Sequence, residues 1–170
     1  MVLKPQDLLV VLKLWVSEGQ SLTYPALADA LKMSISEVHG AVKRAHAAGL
    51  LIEAKASARP NAGPLLEFLV HGVRYAFAPD RGGRTRGLPT GYAAPPLAEA
   101  FPPDEEPVPV WPHPMGVVRG ESFSPIYKSA PEAALADRAL YELLALVDAM
   151  RGGRVRERNL AKQILAERIH

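Results

Sequence analysis

Apolar positions set the first element. Leu8, Leu9, Val11, Leu12, Trp15 and Val16 recur at spacings of three and four, which predicts a helix from about Pro5 to Ser17 with a broad buried stripe. Pro5 suits its first turn, where a missing N–H costs nothing, and Gly19 closes it. A second, shorter helix starts near Pro25 and turns Leu27, Ala28 and Leu31 inward. Lys32-Met33 make the turn that follows. A third helix runs from Ile35 to Ala48, with Ile35, Val38, Ala41, Val42 and Ala45 on one side and Ser36, His39, Gly40, Lys43 and Ala47 on the other. Leu50-Leu51-Ile52 opens a strand, and Pro64 to His71 is again helical. Near the C-terminus PEAALA makes a short helical segment. Asp137 then caps a helix from Arg138 to about Met150, with Leu140, Leu143, Leu144 and Val147 inward. Gly152-Gly153 break it before a last helix from Val155 to Ile169, carrying Leu160, Ile164 and Leu165.

The boundaries of the third helix are the sharpest local signals. Ser34 and Glu37 fit the S-x-x-E capping box, in which each side chain satisfies an orphan backbone N–H of the first turn. Gly49 is placed to take the left-handed conformation that ends the helix. Two short helices around a tight turn, the second capped and polar outside, are how a helix-turn-helix presents a helix to the major groove of DNA.

The pattern changes after Ala78. Residues 79–125 hold eleven of the sixteen prolines, too many for an amphipathic helix of any length. Leu88, Tyr92, Leu97, Phe101, Val108, Val110, Trp111 and Met115 are too many apolar residues for a free linker. The reading is an extended arm that packs on the folded parts or on a partner subunit, with a plain linker as the alternative. Three regions result: 1–78, a DNA-binding domain; 79–125, a proline-rich arm or linker; and 126–170, a helical pair for dimerisation or docking. The fold class is mainly α with a small β-wing.

Composition narrows the class. A hydrophobic share of 48% supplies a real core, and the absence of cysteine removes disulfides, thiol nucleophiles and thiolate metal sites. Met1–Pro5 does not open a signal peptide and no apolar run reaches a membrane-spanning length, so the expected location is the cytoplasm, with no membrane partner. The net charge of +2 says little, but its distribution says more. Residues 151–170 hold six basic against two acidic side chains, while residues 96–115 hold four acidic and none basic. Basic stretches can neutralise phosphates and release counterions, though a solvated face has the same composition. RGGRVRER at 151–158 reads either as a second contact to nucleic acid or an acidic partner, or as a solvated turn.

The segment LADALKMSISEVHGAVKRAHAAGLLIEA resembles the winged helix-turn-helix domains of MarR-like bacterial transcription regulators. There L-A-x-x-L precedes the turn, S-x-S-x-V opens the recognition helix and A-G-L-L leads into the wing. The resemblance covers about residues 5–56. It implies a sequence-specific regulator that binds double-stranded DNA as a homodimer, with Ser34, Ser36, His39, Gly40, Lys43 and Arg44 facing DNA. Lys55 to Asn61 would form the wing tip, which adds Lys55 and Arg59. The returning strand would be Val73 to Ala78, unless the wing is truncated. Arg81, Arg84 and Arg86, set among glycines, read as a basic loop for phosphate contact or as a plain surface turn. The alternative is an adaptor or antitoxin-like subunit that holds a partner enzyme, encoded nearby, through the winged fold and the proline-rich arm. A small-molecule pocket near Trp111 or Tyr141 has only aromatic placement in its favour.

Catalysis has no support in the sequence. The five histidines show no metal-ligand spacing, no phosphate-cradling glycine motif follows a strand, and Ser122 and Ser124 lie near no base. No catalytic residue, metal ligand or cofactor is expected.

Overall fold

The computed structural model describes residues 1–53 and 58–170. Lys55, a candidate wing residue, lies outside the described residues. Helix α1 spans Pro5–Val16, and Leu8, Leu9, Val10, Val11 and Leu12 are all fully buried. Five consecutive buried positions exceed one amphipathic stripe, so α1 is enclosed on most sides. Helix α2 (Tyr24–Leu31) is capped by Thr23, whose hydroxyl accepts from the Ala26 N–H at 3.2 Å. Lys32, with φ of 54°, makes the turn into α3 (Ile35–Ala47). At the end of α3, Gly49 takes a φ of +80°, a conformation that costs a side-chain-bearing residue strain.

Strands β1 (Leu51–Glu53) and β2 (Ala58–Pro60) follow as an antiparallel pair, with Leu51 opposite Pro60 and Ile52 opposite Arg59. The returning strand therefore lies at 58–60 and not at Val73–Ala78. The latter stretch instead begins with the short helix α5 (Val73–Ala76), next to α4 (Ala62–His71). Val73 is buried there, and helix geometry suits a segment wedged beside α7, whereas a lone strand would have no edge to join.

The proline-rich stretch forms a second sheet. Strand β3 (Arg81–Pro89) runs antiparallel to both β4 (Pro109–Pro112) and β5 (Val118–Phe123), and β4 runs parallel to β5, so each strand pairs with the other two. The prolines sit where a strand tolerates them: Pro89 ends β3, while Pro109 and Pro112 are the terminal residues of β4. Closing three strands on one another brings backbones very near. A Cβ on Gly120 would lie 2.2 Å from the Val108 carbonyl oxygen, and one on Gly87 would lie 2.0 Å from that of Trp111, so only glycine fits. The fold is thus mixed α/β. The expected class, mainly α with a small wing, omitted this sheet because proline density hid short strands.

Helices α6 (Ala130–Leu135), α7 (Arg138–Gly152) and α8 (Val155–Arg168) complete the chain. Asp137 caps α7 as expected, accepting from the Leu140 N–H at 3.2 Å. Burial on α7 extends well past the expected stripe to Ala145, Leu146, Asp148, Ala149, Met150 and Arg151. Packed among α1, α4, α5, α6 and α8, this helix is the centre of the molecule. Its apolar surface is used within the chain. Buried residues from Leu8 to Ile169 form one hydrophobic cluster, so the three expected regions share a core. Lys13 on α1 reaches Asp137 at 2.5 Å across the join. Among the described residues no helix is long and apolar enough to cross a membrane.

Candidate nucleic-acid interface

The start of α3 is held from two directions. The Ser34 hydroxyl accepts from the Glu37 N–H at 3.1 Å, and the Glu37 carboxylate accepts from the Ser34 N–H at 2.9 Å. The Tyr127 hydroxyl, from the segment after β5, donates to the same carboxylate at 3.2 Å. The Ser34 backbone N–H, helped by Tyr127 and Lys128, holds the Glu37 carboxyl below its ordinary range. Burial and the neighbouring Glu37 push the Tyr127 phenol up.

Val38, Ala41, Val42 and Ala45 turn inward against the rest of the N-terminal helices. Ile35 does not join them. At 52% exposed, it leaves the expected inner stripe. Ser34, Ser36, His39 and Lys43 are exposed on the outer side, with Gly40 half-buried among them. The His39 ring stands edge-on to Tyr24 at the start of α2, centroids 4.8 Å apart.

Arg44 turns the other way. Its guanidinium forms a two-pronged bridge to Asp7, with Nε 2.8 Å from Oδ2 and Nη2 2.8 Å from Oδ1. Asp7 is fully buried and also accepts from the Lys4 N–H that opens α1. The bond to Asp7 pushes the guanidinium pKa up, so the charge is fixed. The expectation that Arg44 faces DNA is corrected by this geometry, since a buried carboxylate binds it in place.

Between α3 and the β1–β2 hairpin lies an open groove of about 430 Å³, lined by Tyr24, His39, Val42, Lys43, His46, Ile52, Glu53 and Ala58. Arg59 is exposed on β2, opposite Ile52. Two groove residues escaped the sequence reading. His46 follows His39 by seven positions, two helical turns along the same face, and that spacing could have found it. Tyr24 carried no such signal, because its place depends on the angle at which α2 meets α3.

Arg81, Arg84 and Arg86 belong to the other sheet. They lie on strand β3 and not in a loop: Arg81 pairs with Phe123, Arg84 with Glu121 and Arg86 with Arg119, with an irregularity at Gly82-Gly83 between the first two. Arg81 donates to the Gly152 carbonyl at 2.5 Å and lies 3.5 Å from Glu121, over the Phe123 ring. Arg84 and Arg86 are exposed. The basic run at 151–158 is largely engaged too: Arg154 pairs with Glu106, and Arg158 donates to the Gly153 carbonyl at 2.8 Å.

Trp111 and Tyr141 are tied into the interior by hydrogen bonds, and Tyr141 also borders an open hollow of about 270 Å³ with Pro95, Leu135 and Arg138. Trp111 is 1% exposed and its indole N–H donates to Asp148 at 2.8 Å, while the Tyr141 hydroxyl donates to the Pro89 carbonyl at 2.6 Å. Burial, reinforced by Asp148, pushes the Tyr141 phenol up to about 12. Asp148 also accepts from Thr90 at 2.6 Å and from Arg151 at 2.6 Å, and Arg151 reaches the carbonyls of Phe77 and Ser124. These groups satisfy one another in a closed network, which is structural. Comparison with family models, with curated proteins and with solved structures gave no match to this chain.

Proposed function

We propose that the N-terminal helices and the β1–β2 hairpin are a winged helix-turn-helix that binds double-stranded DNA sequence-specifically, with α3 in the major groove, and that the protein regulates transcription. One observation carries the reading. The inner face of α3 is committed to the core, while Ser36, His39, Lys43 and His46 are exposed along its outer side beside a hairpin carrying Arg59. Lys43 supplies a phosphate or guanine contact; Ser36 and His39 supply hydrogen bonds to base edges. Two copies would set one α3 in each half-site, spaced by about one helical turn, roughly 34 Å. The alternative, an adaptor or antitoxin-like subunit that holds a partner enzyme through the winged fold and the proline-rich arm, has less of that arm to offer, because 81–89, 109–112 and 118–123 pair with one another as strands.

A mobility-shift titration on the DNA upstream of the protein's own gene tests the reading. Lys43→Ala and His39→Ala are expected to weaken binding by about 1–3 kcal/mol each, roughly 5- to 150-fold, with the fold intact. Full, salt-dependent affinity in both variants would mean that α3 is not the reading face.

A further inference from the structure

We propose that the exposed face of β3 and β5 is a second phosphate-binding surface for double-stranded DNA, carried by Arg84, Arg86 and Arg119. The inference rests on the reading of α3 as a DNA-recognition helix. Arg86 stands directly opposite Arg119 across the antiparallel β3–β5 pair, and Arg84 is two residues further along β3 in unbroken register. Side chains two apart on a strand, and side chains directly opposite, share one face of the sheet. All three arginines are exposed.

Their charge is left uncompensated. Glu121 lies opposite Arg84, yet its carboxylate is 3.5 Å from Arg81, which leaves that pair neutral. Among the described residues, Arg84, Arg86 and Arg119 form no ion pair. Like charges directly opposite on a sheet work against folding. An anion seated between Arg86 and Arg119 removes that repulsion, and each guanidinium can hold a phosphate by two parallel hydrogen bonds. Arg84 and Arg86 are separated by about 7 Å along the strand, comparable with neighbouring phosphates on one DNA strand. The polyanion already proposed for α3 carries a charge for roughly every 1.7 Å of duplex axis, enough to meet all three. Arg119 was not among the candidates read from the sequence, because its proximity to Arg86 exists only in the folded sheet.

Met115 and Val117, 72% and 93% exposed in the β4–β5 connection, border the patch. Apolar side chains beside arginines would also suit an anionic bilayer, so vesicles form the second arm of the test.

The experiment is fluorescence anisotropy of the full chain on two duplexes, the upstream region and a scrambled sequence of equal length, over a series of salt concentrations. The triple variant R84A/R86A/R119A is expected to bind both duplexes more weakly at low salt. Its log–log salt slope should shrink by roughly two to three, at about 0.9 per lost phosphate contact, with the ratio between duplexes unchanged. R84K/R86K/R119K should keep the slope, and R84Q/R86Q/R119Q carries the same test if the alanine variant melts early. An unchanged slope in the neutral variants overturns the proposal. So does a loss confined to vesicles of equal parts phosphatidylserine and phosphatidylcholine, with DNA binding intact. If Lys43→Ala abolishes the preference between duplexes while the triple variant binds normally, this inference fails alone and the α3 reading stands. If the triple variant loses slope but Lys43→Ala keeps preference and affinity, the α3 reading fails and the arginine surface remains. Wild-type protein that binds neither duplex overturns both.

Discussion

Lys43 and Arg44 are neighbours in the chain with opposite fates. The step of about 100° between successive helix positions leaves Lys43 in solvent and swings Arg44 onto the fully buried Asp7. The difference matters for mutagenesis. Arg44→Ala leaves an unpaired carboxylate in the core, and breaking a buried pair this way costs about 3–5 kcal/mol. Urea denaturation should show that loss, with Arg44→Lys recovering part of it through a single hydrogen bond. Any fall in DNA binding by Arg44→Ala would therefore report unfolding, while Lys43→Ala should leave the denaturation midpoint unchanged. A stability loss for Arg44→Ala within a few tenths of a kcal/mol would show that Asp7 finds another partner.

At the scale of the element, α3 begins with a box that is both local and tertiary. Ser34→Ala removes a cap and should cost about 1 kcal/mol, read by thermal or chemical denaturation. Glu37 provides a pH signature. Because its folded-state pKa is depressed, its contribution is fully present above the ordinary value near 4.5 and is lost as pH falls from there through the lower folded value. Glu37→Gln should flatten the stability profile in that acid window. An unaltered profile would remove Glu37 from the cap. This box was legible in the sequence because serine, turn and periodic run lie within four residues. The same holds for the Asp137 cap and for the helix lengths. The β3–β5 sheet was not legible: its strands are short, its prolines sit at strand ends, and its pairings join Arg81 to Phe123 and Pro109 to Glu121. No local window contains that information. The candidate interface divides along the same line. Exposure of Ser36, His39 and Lys43 follows from helical period alone, whereas the inward turn of Arg44 and the pairing of Arg86 with Arg119 depend on distant partners.

Across the whole molecule, α1 packs on α3 with one side and on α7 with another. Lys13–Asp137 and Tyr127–Glu37 tie the ends of the chain across the same boundary. A shared core of this kind should unfold in one step. Calorimetric and van't Hoff enthalpies are expected to agree, and two resolved transitions would show separable domains. For the same reason residues 1–78 alone should not retain the native helix content by circular dichroism, since the face of α1 that meets α7 would be bare. A stable 1–78 fragment would count against the single core.

Asp148 gathers donors from Thr90, Trp111 and Arg151. Arg151 lies one turn away on α7 and accompanies the carboxylate from the moment that helix forms. Thr90 and Trp111 arrive only when the strands close over it. A slip of one residue in β4 would turn the indole to the opposite side of the strand, stranding a charge where no water reaches it. The register of the sheet is thus tied to α7, whose buried carboxylate is satisfied only when Thr90 and Trp111 stand where they do.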